Sequence, residues 1–163
     1  PLHPRDVGEH IMQHIQNGGA IVGHNILRFD LPVLRDGLDC HAAGEVLRKH
    51  KDSIIDTSNH LRKATTDIGT QFFVRLGDVC KHTLDECKLM DSSDAPKEWR
   101  QGNYESVAKY CLDDARLNYN LWTHGCEHGF VKTRSRWTGD IINMEVDWKW
   151  AKGETQTHSK HSN

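Results

Sequence analysis

Residues 21–34 read IVGHNILRFDLPVL, an apolar stretch that is interrupted by an asparagine and by an aspartate. Burying an unpaired carboxylate costs several kcal/mol, so a protein keeps an aspartate in its core only where a partner, often a metal ion, compensates the charge. We therefore expect Asn25 and Asp30 to lie in a buried segment, and we expect Asp30 to have a compensating group close to it.

Length and charge limit what this segment can belong to. The chain has 163 residues, which predicts one domain with a real core. Its net charge of -2 creates no general attraction for polyanions, so a nucleic acid would have to be held by local charges or by metal. Five cysteines without CxxC spacing, and no apolar run of about 20 residues, predict a reducing, cytoplasmic location and no membrane span.

Apolar periodicity and turn residues predict the elements of an α/β domain over residues 1–150 and a disordered polar tail over residues 151–163. Helices are predicted over Pro4–Gln16, Glu45–His50, Leu76–Leu84 and from Tyr104 until Gly125 and Gly129 end the run, with further helices beginning near Asp30 and, capped by Thr57, after Asp56. Strands are predicted over Ala20–Gly23 and Ser53–Ile55, and a hairpin over 130–148.

A second informative stretch is YCLDDARLNYNLW, residues 110–122. On a helix, Tyr110 and Asp114 are four residues apart and share one face, whereas Asp113 points about 100° away. Only Asp114 is therefore expected to share a site with the tyrosine. Carboxylates of this kind suit Mg²⁺ or Mn²⁺, and a pair of such ions can activate water and stabilise the oxygens of a phosphodiester during cleavage.

These two stretches resemble a known family. GHNILRFDLPVL resembles the second motif of the DEDD 3′–5′ exonucleases, and YCLDD resembles their third motif in its tyrosine form. The segments IIDTSNHL, RLGDVCKHTL and the C-terminal hairpin are similar to those of ribonuclease-H-like exonucleases that are often linked to helicases. The resemblance covers most of residues 5–148.

The resemblance implies a ribonuclease-H-like mixed sheet flanked by helices and a metal-dependent 3′–5′ exonuclease. Its substrates would be single-stranded DNA or RNA 3′ ends, its cofactors two Mg²⁺ or Mn²⁺ ions, and its partner a helicase or a polymerase. Asp30 and Asp114 would bind metal and Tyr110 would orient the attacking water, while Asn25, Phe29 and His24 would contact the substrate. Asp56 would either support the site or cap a helix.

The family's first motif, Asp-x-Glu on the opening strand, is not found, because only six residues precede Val7. Since the chain begins with Pro1, we expect an N-terminally truncated piece that lacks the first strands and is inactive alone.

Other interpretations stay open. The chain could be the proofreading domain of a family B DNA polymerase, or a non-catalytic nucleic-acid-binding module with a decayed site. The basic residues of the hairpin could follow a phosphate backbone or form a solvated face, namely Lys132, Arg134 and Arg136. Two groups could ligate zinc, although buried thiols and surface histidines are favoured: Cys80, His82 and Cys87, and His124, Cys126 and His128.

Overall fold

The computed structural model describes residues 3–68 and 74–148. They form helices, two short pairs of strands and the segments that connect them. In chain order they are α1 (Pro4–Gln16), β1 (Ile21–Gly23), α2 (Asp30–Pro32) with a following π turn (Val33–Gly37), α3 (His41–Lys49), a 3₁₀ turn (Lys51–Ser53), β2 (Ile54–Asp56), α4 (Thr57–Ile68), α5 (Leu76–Leu84), α6 (Ala95–Arg100), α7 (Tyr104–His128), β3 (Phe130–Arg134) and β4 (Ile141–Glu145). The mixed α/β character predicted from the sequence is confirmed. The predicted tail, residues 151–163, lies outside the described residues.

Strands β1 and β2 are parallel, with Gly23 beside Asp56 in the register. The carboxyl ends of parallel strands meet at the same edge of a sheet. The loop that follows Gly23 therefore begins next to Asp56 and next to the first turn of α4. This juxtaposition places the GHN segment, residues 23–25, at a strand edge.

Strands β3 and β4 form an antiparallel hairpin that pairs Phe130 with Glu145 and Arg134 with Ile141. Its turn contains Gly139 at φ 78°, a backbone conformation that glycine adopts without strain. Within the described ranges the two strand pairs form separate sheets. The single mixed sheet implied by the resemblance is therefore not seen there, because the hairpin packs on α5 and α7 and pairs with neither β1 nor β2.

Two buried apolar clusters hold these elements together. The first joins α1, α3 and the β1–β2 pair, and the second joins α4, α5, α7 and the hairpin. The first is built from Ile15, Leu31, Cys40, Ala43, Val46 and Ile54, and the second from Leu61, Leu76, Val79, Cys80, Leu117, Leu121, Val131, Met144 and Trp148. Helix α7 contacts both β1 and β3, so it connects the strand edge near Gly23 to the hairpin.

Helix α7 continues through Gly125 and stops at His128, so of the two glycines predicted to end it, only Gly129 does so. Gly125 is instead a contact point, because a Cβ there would come within 2.3 Å of the Trp148 ring. Gly129, at φ 73°, provides the left-handed residue that ends the helix. Although α7 is long, neither it nor another helix in the described residues is long and apolar enough to span a membrane.

Candidate active site

The loop after β1 is organised by one buried carboxylate, Asp56. Its Oδ1 accepts hydrogen bonds from the backbone N–H of Asn25 at 2.9 Å and of Asn59 at 3.1 Å, and its Oδ2 accepts one from Leu27 at 3.1 Å. Asn25 has φ 71°, a left-handed conformation that asparagine tolerates better than most residues. Asp56 therefore caps α4, as one of its two predicted functions required, and also fixes the path of the loop. Its support of a catalytic site stays a prediction.

The buried carboxylate of this region, whose charge is compensated by three hydrogen bonds, is therefore Asp56, at 1% exposure, and not Asp30. Asp30 is exposed, because α2 directs Leu31 into the core and leaves Phe29 and Asp30 at the surface. The expectation that Asp30 is buried was wrong. The prediction that Thr57 caps α4 was also wrong, because the Asn59 N–H is bound by Asp56 and the Thr57 hydroxyl lies 3.2 Å from the carbonyl of Gly23.

Asp30 nevertheless lies in an unusual electrostatic environment. Partial loss of solvent around its carboxyl raises the pKa of Asp30, and the negative charge of Asp56 raises it further, against a hydrogen bond with its own backbone. The neighbouring Phe29 is 61% exposed, an unusual fraction for so large an apolar side chain. Residues 29 and 30 therefore present an aromatic ring and a carboxylate together at the surface.

His24 connects the loop after β1 to Thr57 of α4 and to Val74, which precedes α5. Its Nε2 lies 2.8 Å from the carbonyl oxygen of Val74, which can only accept, so Nε2 carries the proton. Its Nδ1 lies 2.9 Å from the hydroxyl of Thr57, which in turn lies 3.1 Å from Oδ1 of Asn118 on α7. Both ring nitrogens are thus bound within the protein, and the predicted substrate contact of His24 stays a prediction.

Burial lowers the pKa of His24 below its ordinary value of 6.5, although the Val74 carbonyl and the Asp56 charge raise it. The folded state therefore favours the neutral ring, and protonation favours unfolding. The stabilising contribution is complete above pH 6.5 and is lost as the pH falls below that value toward the folded pKa.

We expect His24→Gln to flatten the pH dependence of stability between about pH 7 and 5, by up to about 1.4 kcal/mol per pH unit. Urea unfolding at a series of pH values measures this slope. His41, whose side chain is 94% exposed, provides the comparison variant His41→Gln, which should keep the slope. An unchanged slope in His24→Gln would contradict the lowered pKa of His24 in the folded state.

Tyr110 and Asp114 share one face of α7, as predicted, and both contact a third residue. The ammonium of Lys88 lies 2.7 Å from Oδ2 of Asp114 and 3.1 Å from the hydroxyl of Tyr110. The same nitrogen lies 4.9 Å from the centre of the Tyr110 ring, within the range of a cation–π contact. The phenol and the carboxylate therefore converge on one position, and a positive charge occupies that position.

The charges in this group reinforce one another. Loss of solvent lowers the pKa of Lys88, but its hydrogen bonds to Asp114 and Tyr110 outweigh this effect, so the pKa lies above its ordinary value. Burial raises the pKa of Tyr110, the Lys88 hydrogen bond lowers it and the Asp114 hydrogen bond raises it, with a net increase. At neutral pH the group thus consists of an ammonium ion and an un-ionised phenol beside the Asp114 carboxyl.

Asp113 faces a different set of partners, as its helical position predicts. Its carboxylate accepts from the backbone N–H of Leu89 at 3.3 Å and from Arg116 at 2.8 Å. Asp114 differs in a second way, because its Oδ1 is buried and receives no hydrogen bond from the described residues. Both oxygens of Asp113 accept hydrogen bonds, whereas one buried oxygen of Asp114 accepts none from the described residues.

Two charged side chains act on His24 from different elements. The negative charge of Asp56 raises the pKa of His24 and the positive charge of Lys88 lowers it. His24 therefore lies within electrostatic reach of Asp56 and of Lys88. The residues that the structure describes nevertheless contain no group of three or more His, Cys, Asp or Glu side chains that could hold a metal ion.

The thiols and the basic strand residues have protein partners of their own. Burial raises the pKa of Cys80 to about 12, and its thiol lies 3.7 Å from the Leu117 carbonyl, which makes it a poor zinc ligand. The Cys126 thiol donates to the Trp148 carbonyl. Arg134 lies 3.7 Å from Asp78 on α5, whereas Lys132 is exposed, so the strand is not a uniform basic edge.

Comparison of the chain with protein-family models, with curated proteins and with solved structures finds no match. The site is therefore defined by its own geometry. Sequence reasoning did not anticipate Lys88, which belongs to the loop between α5 and α6 and has no periodic signal, nor the contact between Thr57 and Asn118.

Proposed function

We propose that this chain forms part of a metal-dependent 3′–5′ exonuclease with a ribonuclease-H-like fold, acting on single-stranded nucleic-acid ends. The observation that carries the proposal is the convergence of the Tyr110 hydroxyl and the Asp114 carboxylate on one cation position, at 3.1 and 2.7 Å from the Lys88 ammonium. A tyrosine and an aspartate four residues apart are what the third exonuclease motif requires, and here they serve the same small volume.

The carboxylate side chains are of the ligand type that binds a hard divalent cation. The unpartnered Oδ1 of Asp114 is a buried anionic oxygen, and carboxylate oxygens are the ligands that Mg²⁺ and Mn²⁺ prefer. As the resemblance implies, Asp30 would bind one ion and Asp114 the other. Each ion would need further ligands, because the described residues contain no group of three His, Cys, Asp or Glu side chains that could hold a metal ion. A bound divalent ion would lower the pKa of a water molecule and stabilise negative charge on a phosphate.

The chain's own residues would position the substrate. Tyr110 keeps its proton, since its pKa is raised, and can orient a water molecule by a hydrogen bond. The exposed ring of Phe29 offers a surface on which a terminal base can stack, a contact worth about 1–3 kcal/mol per base. Asn25 supports this arrangement from the loop, where its own Oδ1 is buried without a hydrogen bond from the described residues.

One observation favours a second candidate, a module that binds nucleic acid without cleaving it. Lys88 already compensates the charge of Asp114, as expected of a site that no longer holds a metal. The two candidates agree on binding to single strands and differ on hydrolysis.

The deciding experiment uses the protein expressed from its complete gene and oligonucleotides labelled at either the 3′ or the 5′ end. We expect Mn²⁺ to release the 3′ label first as a mononucleotide and to shorten the 5′-labelled strand stepwise, because cleavage proceeds from the 3′ end. EDTA should stop the reaction and excess Mn²⁺ should restore it. Retardation of the strand on a native gel without shortening would support the binding module, and release of the 5′ label first would exclude the proposed polarity.

A further inference from the structure

The longest helix in the described residues carries an apolar stripe on its outer side. Helix α7 packs with one side on α5 and on the hairpin. On the other side Tyr104 is 57% exposed, Leu112 is 72% exposed and Tyr119 is 60% exposed. Two exposed alanines lie between them, Ala108 and Ala115. Residues three and four apart share a face of a helix, so these side chains form one continuous stripe, roughly 22 Å long.

We propose that two copies of this chain associate through this stripe, with their α7 helices antiparallel. The stripe reads the same in both directions: tyrosine, alanine, leucine, alanine, tyrosine. Ala108 and Ala115 are equally far from the midpoint between positions 111 and 112, and so are Tyr104 and Tyr119. A two-fold interface requires such a surface, because the same patch of both copies must be complementary to itself. The inference is independent of the proposed function.

The symmetry decides which side chains meet. In an antiparallel pair centred on this midpoint, Ala108 lies opposite Ala115 of the second copy, and Tyr104 lies opposite Tyr119. The small alanine side chains let the two helices approach closely, and the Leu112 side chains of both copies fill the centre. The tyrosines at the ends bury their rings and keep their hydroxyl groups at the wet rim of the interface. The stripe therefore fits a second copy of itself.

Charged side chains beside the stripe are complementary in the same register. Glu105 and Arg116 lie on one flank of the stripe, about 20° apart around the helix. In the antiparallel pair, Arg116 of one copy lies about 3 Å along the helix axis from Glu105 of the other. Both side chains are available at the surface, since Glu105 is 84% exposed and Arg116 is 49% exposed. Lys109, on the same flank, lies about 7.5 Å along the axis from its equivalent, so opposite charges are the closer neighbours.

The pairing leaves the candidate active site open. Tyr110 and Asp114 lie on the side of α7 that faces Lys88, about 160° around the helix from Leu112. Two copies joined at the stripe therefore carry their candidate sites on opposite outer sides, and association does not cover them.

Cys111 provides a test on the wild-type protein. This cysteine is exposed and lies on the flank of the stripe away from Glu105. Because the two-fold axis passes between positions 111 and 112, the two copies of Cys111 lie on the same flank, about 1.5 Å apart along the helix axis. Oxidation by copper phenanthroline should therefore join the two thiols as a disulfide, which appears as a dimer on a non-reducing gel.

Two cysteine variants locate the cross-link in the protein expressed from its complete gene. Cys111→Ser should abolish it, whereas Cys87→Ser, which removes the other exposed cysteine of the described residues, should keep it. Mass spectrometry of the digested dimer identifies the joined peptides. A dimer joined through Cys87, or one that persists unchanged in Cys111→Ser, would overturn the proposed arrangement.

Sedimentation velocity measures the association without a cross-linker. The wild type should shift from monomer to dimer as its concentration rises, and Leu112→Glu should weaken the dimer at least about tenfold, because it places two carboxylates at the centre of the interface. Leu38→Glu, at a leucine that is 49% exposed in the turn before α3, is the matched control and should associate like the wild type. Circular dichroism confirms that both variants are folded.

Two results would overturn the inference and leave the exonuclease proposal untouched. One is a wild-type protein that stays monomeric over a roughly 100-fold range of concentration. The other is a dimer that Leu112→Glu does not weaken, since its interface would then lie elsewhere on the molecule.

Discussion

Replacing Asp114 with asparagine is expected to abolish hydrolysis by the protein expressed from its complete gene, with a loss of roughly 100-fold or more in kcat. Asparagine keeps the shape of the side chain but removes the anionic charge that a divalent cation requires. It also removes the ion pair with Lys88, whose side chain is partly exposed and can turn to solvent. The measurement is the rate of release of a 3′ label at saturating Mn²⁺, with circular dichroism to confirm that the variant is folded.

Asp113→Asn is the matched control on the same helix. Its carboxylate binds Arg116 and the backbone of Leu89, away from the position shared by Tyr110 and Asp114, so hydrolysis should change by less than about threefold. A loss in Asp113→Asn equal to that in Asp114→Asn would mean that the wrong carboxylate was chosen. An unchanged rate in Asp114→Asn would reject the proposed site.

The sequence predicted most of the helices because helix periodicity is local information. Helices α1 and α5 have the predicted bounds, Pro4–Gln16 and Leu76–Leu84, since glycine residues or a left-handed residue end each of them. The helix predicted over Glu45–His50 begins earlier, at His41. The common face of Tyr110 and Asp114 follows from their spacing alone, and the structure confirms it through their shared contact with Lys88.

The identity of the buried acid could not be predicted in the same way. Asp30 is surrounded by apolar letters in the sequence, but along a helix successive residues point about 100° apart, so Leu31 enters the core while Asp30 stays outside. Asp56 becomes buried because the parallel register brings it beside Gly23, which is 33 positions away. Register is a tertiary property, and neither short strand specifies it by its own pattern.

The position of Lys88 was hidden for a related reason. It lies 22 and 26 positions from Tyr110 and Asp114, in a connection whose path is set by contacts of its neighbours with α7. A lysine in a loop carries no periodic signal, and its partners depend on how α5 and α7 pack. The charges that define a site can therefore be recognised from a sequence one by one, whereas their pairing requires the fold.

Replacing Asp56 with alanine is expected to cost roughly 3–5 kcal/mol of the free energy of unfolding, the largest stability effect that the site predicts. The variant leaves the N–H groups of Asn25, Leu27 and Asn59 without their acceptor, and buried donors that lose a charged acceptor are costly. Native domains are stable by only about 5–15 kcal/mol, so such a loss approaches global unfolding. Urea unfolding of the complete chain measures it.

Two further variants define what the loss means. Asp56→Asn keeps one acceptor oxygen, which can serve Asn25 and Asn59, and should cost about half as much as alanine. Asp52→Ala removes an exposed carboxylate four positions earlier and should change stability by less than about 0.5 kcal/mol. If Asp56→Ala still folds, hydrogen exchange at the amides of Asn25 and Leu27 should accelerate. A cost below about 1 kcal/mol with unchanged exchange would show that the loop keeps its path without Asp56. Asp56 would then not be the residue that fixes the GHN segment.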